Sequence, residues 1–577
     1  MRMKWLSTFL LLLVLTTEAA AAGVIGRWSG SCDFPGWPQI YGVFTADADG
    51  GSLTVFQANL LDESVTEMQI DGDSMAFDVS IHGSAFSFKG RTVTEAGIES
   101  LSGTITAEDA DADGGFEWKR SPVVSELPDA QRWSGTLDIQ GIQQLDMILD
   151  LGRDADDRLH VDISIPVQKV VGYPLDVVSD DGTTIVAILH TGLPATLTME
   201  RSPERIDVQF KQGAFQQEIV FTPDQSATTS LQRPQEPTPP FPYEERDVVV
   251  PHPDGHVLAG TLTVPRSTGP HPAVILITGS GLQDRNQELM GHKPFLVLAD
   301  HLTRNGIAVL RADDRGVGGS TVEDRSTLKD VTSKDFASDI RVLFDHLVTQ
   351  PDIDTSKIGL VGHSEGGFIA PMVAERRDDV AFLVLMAGTG RPGLEVLKDQ
   401  NRRIMEVQGV DEDRIGSVLE KYEHVMDLLL AGASDEQVRE PMRELSQAQI
   451  EAMGLGVEVD DALIDQAIAE SRMPWMQYFM RHDPAAVLER IDVPVFAING
   501  TLDVQVLADR ELPAIEQAVQ RGSGQITVRR YEGLNHLFQP ARTGAVEEYD
   551  KIEITLDPQV LDDITEWING QGSSSAD

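Results

Sequence analysis

The sequence has one cysteine, Cys32, in 577 residues. No intramolecular disulfide can form, so each folded unit must be held by its own core. Basic residues are also scarce, with 46 Lys and Arg against 92 Asp and Glu and a formal charge of −46. Such a surface repels nucleic acid and anionic headgroups, which argues against a nucleic-acid partner. Arginine outnumbers lysine and the acids are spread along the chain, a balance found in salt-adapted proteins, where high ionic strength screens self-repulsion. Long apolar runs are missing apart from Trp5 to Leu15, which falls short of the roughly 20 residues a membrane-spanning helix needs. That run follows Met1-Arg2-Met3-Lys4 and precedes Ala19-Ala20-Ala21-Ala22, the order of a secretory signal cleaved near Ala22. The expectation is a secreted or periplasmic protein with no membrane span after cleavage. Cys32 lies too far downstream, after Trp28-Ser29-Gly30-Ser31, to serve as a lipid attachment site.

A chain of this length calls for two or three packed units. In the first half, Arg27-Trp28-Ser29-Gly30-Ser31 and Arg132-Trp133-Ser134-Gly135-Thr136 each open a run of short alternating strands, which reads as an internal duplication. The copies close on Phe116-Glu117-Trp118-Lys119 and Ile219-Val220-Phe221-Thr222, giving two small all-β repeats over 23–125 and 126–223. Asp109 to Gly114 resembles the opening of a calcium loop, but Arg120 stands where a bidentate glutamate belongs, so an acidic hairpin turn is the better reading. Neither copy carries a catalytic constellation. Residues 224–243 turn polar and proline-rich, from Arg233-Pro234 to Phe241-Pro242, and read as a linker.

Beyond the linker the period changes. Val248 to Val250 and Val257 to Val264 predict a leading hairpin. Apolar strands then alternate with helical stretches: Ala273 to Ile277, Ile307 to Leu310, Ile358 to Val361, Phe382 to Leu385, Val493 to Ile498 and Ile526 to Val528. Short, fully apolar strands between helices predict an α/β unit with a doubly wound, mostly parallel sheet over 244–570. From about 394 to 480 no such strand occurs, and amphipathic stretches such as Ile415 to Leu430 and Ala462 to Met473 predict an inserted helical cap.

Directly after the strand ending at Val361 comes Gly362-His363-Ser364-Glu365-Gly366-Gly367, then a helical stretch. This strand–turn–helix context is what a nucleophile elbow requires, with glycines where side chains would collide with neighbouring strand and helix. A serine hydroxyl is a poor nucleophile unless a base takes its proton and a carboxylate orients that base. Asp503 follows the strand ending at Ile498, and His536 follows the strand from Ile526 to Tyr531, so both reach the sheet's C-terminal edge in the chain order Ser, Asp, His. Asp509 is the nearest substitute acid, and His363 is the weaker candidate for the base because it sits on the tight elbow. Oxyanion donors in such a site are the amide after the nucleophile, here Glu365, and one from the loop Thr278 to Arg285, here Ser280 or Gly281. Asp314-Arg315-Gly316-Val317-Gly318-Gly319-Ser320 lacks the Lys-Ser/Thr ending of a phosphate loop and reads as a turn beside the site.

On these residues the region from about Glu244 to Ile568 resembles the α/β-hydrolase superfamily. It is most similar to bacterial carboxylesterases with a Gly-His-Ser-Glu-Gly-Gly elbow and a Gly-Ser-Gly-x-x-Asp-Arg loop, relatives called dienelactone-hydrolase-like or serine-aminopeptidase-like. The resemblance implies hydrolysis of small acyl esters without a cofactor; the mechanism requires no metal. Peptides or thioesters are the nearest alternative substrates. The β repeats lie outside the resemblance, and a second reading gives them a binding role at a polymer or surface. In the cap, Met405, Met426, Met473, Trp475, Met476 and Phe479 either line an acyl pocket or, more often at helical spacing, pack the core.

Overall fold

The computed structural model describes residues 24–571 except 35–39, 48–49, 56–59, 82–83, 96–97, 108–112, 140–142, 169, 192, 214, 228–232 and 455–458. The expected signal at 1–22 and the acidic stretch at 109–112 therefore lie outside the described residues. Contacts divide the chain into two compact units, one of residues 1–138 and 144–230, the other of 231–577 with 139–143.

The first unit holds two sheets of nine strands with one shared topology. In the first, the opening strand Gly26–Asp33 pairs antiparallel with the closing strand Gly114–Arg120. The sheet's two edges are Leu60–Ser64 and Thr66–Asp71, which are consecutive in the chain. In the second, Gln131–Ile139 pairs with Phe215–Pro223, and the edges are Val170–Pro174 and Asp176–Asp180. The repeated Arg-Trp-Ser-Gly motif opens both sheets for a steric reason. A Cβ on Gly30 would lie 2.2 Å from the Glu117 carbonyl oxygen, and one on Gly135 would lie 2.9 Å from that of Val220. The motif tryptophans, Trp28 and Trp133, are buried beneath these crossings. The first sheet wraps an aromatic core in which Phe44 and Phe77 stack at 4.6 Å and Phe116 and Trp118 meet at 4.4 Å.

The motif arginines do different work in the two copies. Arg132 makes a two-pronged ion pair with Asp150 of its own repeat, at 2.8 Å for each prong. Arg27 instead reaches Asp162 in the second repeat at 2.8 Å, with side-chain exposures of 7% and 3%. Asp162 also accepts the Val124 amide at 3.0 Å, and burial still raises its pKa despite the arginine. Removing one partner of such a pair leaves an uncompensated buried charge, whose cost exceeds the net worth of the pair itself. Arg27→Met is therefore expected to destabilise the first unit by about 3–5 kcal/mol. Urea unfolding of the full chain followed by tryptophan fluorescence checks this, and a loss under about 1 kcal/mol would mean that water or other groups compensate Asp162.

The second unit is built on one sheet of eight strands. Numbered from the start of this unit, they are β1 Tyr243–Pro251, β2 Val257–Pro265, β3 His271–Ile277, β4 Ala308–Ala312, β5 Ile353–His363, β6 Leu383–Met386, β7 Val495–Gly500 and β8 Ile526–Tyr531. Their order across the sheet is β1-β2-β4-β3-β5-β6-β7-β8. The β1–β2 and β2–β4 pairings are antiparallel and the rest parallel. Helices α1 Pro294–Arg304, α2 Ser333–Val348 and α3 Glu365–Ala374 connect the first strands, and α10 Ala508–Arg521 and α11 Pro558–Gly570 complete the two outer layers. Successive residues of β3 face opposite layers. Ala273, Ile275 and Ile277 join the core under α2, α3 and α10, while Val274 and Leu276 join the core under α1 and α11. Two buried faces explain why these strands read as continuous apolar runs rather than alternating ones.

Between β6 and β7 the chain forms α4 Gly393–Val407, α5 Glu412–Leu430, α6 Asp435–Ala452, α7 Asp461–Ser471, α8 Pro474–Arg481 and the short α9 Pro484–Leu488. Helices α4 to α8 enclose a core of their own around Ile415, Leu419, Val425, Val438 and Ile464. Met405 and Met426 are buried in that core, Met476 packs against it, and Met473 is exposed. Among its described residues the proline-rich stretch carries neither helix nor strand before Tyr243, yet from Arg233 onward it is fastened to the second unit. The Arg233 guanidinium donates to the carbonyl oxygens of Met290, Gly291, Asp550 and Ile552, and Gln235 accepts the Thr555 and Leu556 amides. The part beyond Arg233 is thus a strap on the second unit rather than a free spacer.

Candidate active site

The elbow at the end of β5 is strained in a way only this sequence permits. Ser364 has φ 55° and ψ −115°, and its amide donates to the Met386 carbonyl at the end of β6 at 2.8 Å. A non-glycine residue at positive φ costs on the order of 1–3 kcal/mol and persists only where its surroundings over-determine it. Those surroundings are backbone. A Cβ on Gly362 would lie 2.0 Å from the Gly366 carbonyl oxygen, and one on Gly366 would lie 2.1 Å from that of Ile277. The turn leaves Ser364 half-buried while its neighbours His363 and Glu365 are buried.

The loops after β7 and β8 bring Asp503 and His536 into contact, with His536 Nδ1 at 2.8 Å from Asp503 Oδ2. Both are buried. The other oxygen, Asp503 Oδ1, accepts the amides of Gln505 and Val506 at 2.8 and 2.9 Å, so the carboxylate is fixed and its free edge faces the imidazole. Asp509 is exposed in the first turn of α10. His363 takes a supporting part. Its Nε2 donates to the His536 carbonyl at 2.9 Å, its Nδ1 accepts from Gln287 Nε2 at 2.6 Å, and its ring lies 4.8 Å from that of His536. Burial, then the neighbouring His536, lowers its pKa to about 3, so it is a neutral, fixed donor. Nothing in the sequence pairs Gln287 with His363; the signal is tertiary.

The loop after β3 is clamped against the turn after β4 by two adjacent acids. Asp313 accepts the Arg285 amide at 2.8 Å, the Arg285 guanidinium at 2.6 and 3.0 Å, and the Gly319 amide at 2.9 Å. Asp314 accepts the Gln283 amide at 2.8 Å and the Thr278 hydroxyl at 3.1 Å. The glycine that faces Ser364 is Gly279, on which a Cβ would stand 3.4 Å from that of the serine. Ser280 and Gly281, the donors expected from sequence, are exposed on the same loop, and Gly281 has φ 90°.

Burial pushes the Asp314 carboxyl from 3.8 up to about 7, against the lowering effect of its hydrogen bonds to Gln283 and Thr278. The folded protein therefore holds this proton more tightly than the unfolded chain. The resulting stability is fully present below about pH 4 and is lost as pH rises through about 7. Asp314→Asn fixes the neutral form and is expected to flatten the urea midpoint between these limits relative to the parent. Identical pH slopes would show that Asp314 is ionised throughout.

The Glu365 side chain joins the elbow to the cap. Its Oε1 accepts from the Ser333 hydroxyl at the start of α2 at 2.6 Å and from Trp475 Nε1 on α8 at 2.8 Å. Trp475 in turn stacks on Phe479 at 5.6 Å, and Phe479 meets Phe368 of α3 at 5.9 Å. Trp475 and Phe479 thus seat the cap on the elbow. Among the described residues, one group has metal-ligand character: His252, His256 and Asp339. Arg315 occupies both Asp339 oxygens at 2.7 and 2.8 Å, and His256 Nε2 donates to Oδ1 at 2.8 Å. A cation there would stand against the guanidinium, so the donor set suits a buried His–Asp–Arg network and not a metal.

Residues 293–436 match the family model described as serine aminopeptidase, S33, a span that contains Ser364 but neither Asp503 nor His536. Esterase EstD of Thermotoga maritima is 24% identical over 332 residues, 57% of this chain and 68% of that protein. An uncharacterized protein of Mycobacterium tuberculosis is 29% identical over 202 residues, 34% of this chain and 65% of its own length. Among solved structures, an esterase of Pyrococcus furiosus covers 60% of this chain and 99% of its own at 14% identity and a TM-score of 0.37. Est1E of Butyrivibrio proteoclasticus covers 57% and 99% at 15% identity and a TM-score of 0.32. The 1-2-4-3-5-6-7-8 strand order and the strained elbow after β5 give the second unit an α/β-hydrolase fold, and its sequence is similar to the serine aminopeptidase model over residues 293–436 and to esterase EstD.

Proposed function

We propose that this protein is an exported serine hydrolase that cleaves carboxylic esters through an acyl-enzyme on Ser364. The observation that carries this reading is the 2.8 Å contact of His536 Nδ1 with an Asp503 carboxylate whose other oxygen is pinned by two amides. That contact leaves Nε2 as the basic nitrogen. Ser364 Oγ attacks the ester carbonyl carbon while Nε2 takes the hydroxyl proton. The carbonyl oxygen becomes an oxyanion held by the Glu365 amide and an amide of Ser280 or Gly281. Collapse breaks the acyl–oxygen bond, the alcohol leaves with the proton from Nε2, and water repeats the sequence to release the acid. The esterase named among the relatives supports an ester substrate, and the N-terminal signal pattern supports export.

The serine aminopeptidase model supports a second substrate class, peptides. Fluorophosphonate labelling, with turnover of p-nitrophenyl esters of graded chain length and of amino-acid p-nitroanilides, separates the two. Labelling with ester turnover is the expected result, and labelling with anilide turnover alone moves the assignment to peptides. No labelling at all would remove the proposed nucleophile.

A further inference from the structure

Beyond the Ser364 site, the second unit has a groove of about 910 Å³ between α2, the C-terminal end of α3, α8 and α9. α3 begins beside Ser364, and at about 1.5 Å per residue its Met372, which lines the groove, lies about 12 Å along the helix from the nucleophile. The lining opposes the charge of the chain. Lys334, Arg341, Arg376, Arg481 and Arg490 face only Glu375 and Asp483, in a protein with a formal charge of −46.

Glu375 is already taken by Arg490, at 2.6 Å. Asp483 is spent as the N-cap of α9, accepting the Ala485 amide at 3.1 Å. Among the described residues, Lys334, Arg341, Arg376 and Arg481 have no carboxylate in ion-pair reach. Lys334 lies over the Tyr478 ring at 4.9 Å, and Arg481 donates to the Leu430 carbonyl at 3.3 Å. The groove holds one more unmatched polar atom: His482 Nε2 is buried without a hydrogen-bond partner, while its Nδ1 meets the Tyr478 hydroxyl at 2.9 Å.

Like charges gathered round one concavity raise its potential and concentrate anions there. Guanidinium forks match the oxygen geometry of phosphate, and several cations converging favour a multivalent anion over a single carboxylate. We propose that this groove is a binding site for a phosphate-bearing ligand, held by Lys334, Arg341, Arg376 and Arg481 and separate from the Ser364 site. It does not depend on the ester reading, because its partner is recognised by charge and oxygen geometry and not by an acyl group.

The test is calorimetric titration of the full chain with pyrophosphate at low ionic strength, beside sedimentation with phosphatidylglycerol vesicles. Lys334→Glu/Arg376→Glu reverses two exposed charges, and Arg376→Gln is the milder companion should the double variant fail to melt cooperatively. Pyrophosphate binding that weakens about tenfold or more in the variants supports a soluble phosphate ligand. Binding confined to vesicles and lost in the variants supports a lipid headgroup as the source of the same phosphate. No binding of either by the parent, or equal binding by parent and a cooperatively melting variant, overturns the proposal.

Discussion

Ser364→Ala is expected to lower ester turnover by about 10⁵-fold or more while leaving the melting curve of the second unit in place. The residual rate comes from the amides round the oxyanion position and from substrate binding, which the substitution does not touch. Stability should hold because the elbow's strain is imposed by Gly362, Gly366 and the Met386 carbonyl, not by the serine hydroxyl. Initial rates on p-nitrophenyl esters, with loss of fluorophosphonate labelling, make the measurement. A variant that retained most of its turnover would place the nucleophile elsewhere.

The second large effect is Asp503→Asn, with an expected loss of about 10⁴-fold in kcat and little change in KM. The reasoning is one of hydrogen-bond direction. The amides of Gln505 and Val506 both donate to Oδ1, so an asparagine must place its carbonyl oxygen there and turn its NH2 toward His536. Facing a donor, Nδ1 becomes the acceptor and the ring proton moves to Nε2, which can then no longer take a proton from Ser364. A loss of less than tenfold would show that another acid, with Asp509 the nearest in sequence, orients the imidazole.

Much of the second unit was legible because its constraints are local. The elbow compresses a steric rule into five residues: Gly362 and Gly366 are required by backbone atoms that any strand–turn–helix would bring near. Asp503 and His536 were legible because each follows an apolar strand, and adjacent parallel strands deliver their following loops to one edge. What the sequence hid depends on contacts distant along the chain. His363 supports the His536 loop across 173 positions and Gln287 meets it across 76. Asp314 looked like the start of a turn, but together with its neighbour Asp313 it sets the shape of a loop about 30 residues earlier. The cap's helices were only partly readable: α5 and α7 show apolar periodicity, whereas α8 is eight residues long and declares itself by what Trp475 and Phe479 touch. Arg233, placed in a polar proline-rich stretch, gave no sign of the four carbonyls that anchor it.

The closure of each β sheet by its own first and last strands means that the chain enters and leaves a repeat at the same place. A fold with that property behaves as a cassette: a second copy can follow the first without stretching either, which makes tandem duplication topologically cheap. It also moves the natural break in the structure to mid-sequence, at Val65, between two edge strands that are consecutive in the chain and not paired with each other. Each sheet can close only when its last strand has been made, so the first-to-last pairing is the highest-contact-order step in its assembly. That delay keeps each repeat open until its last strand has been synthesised.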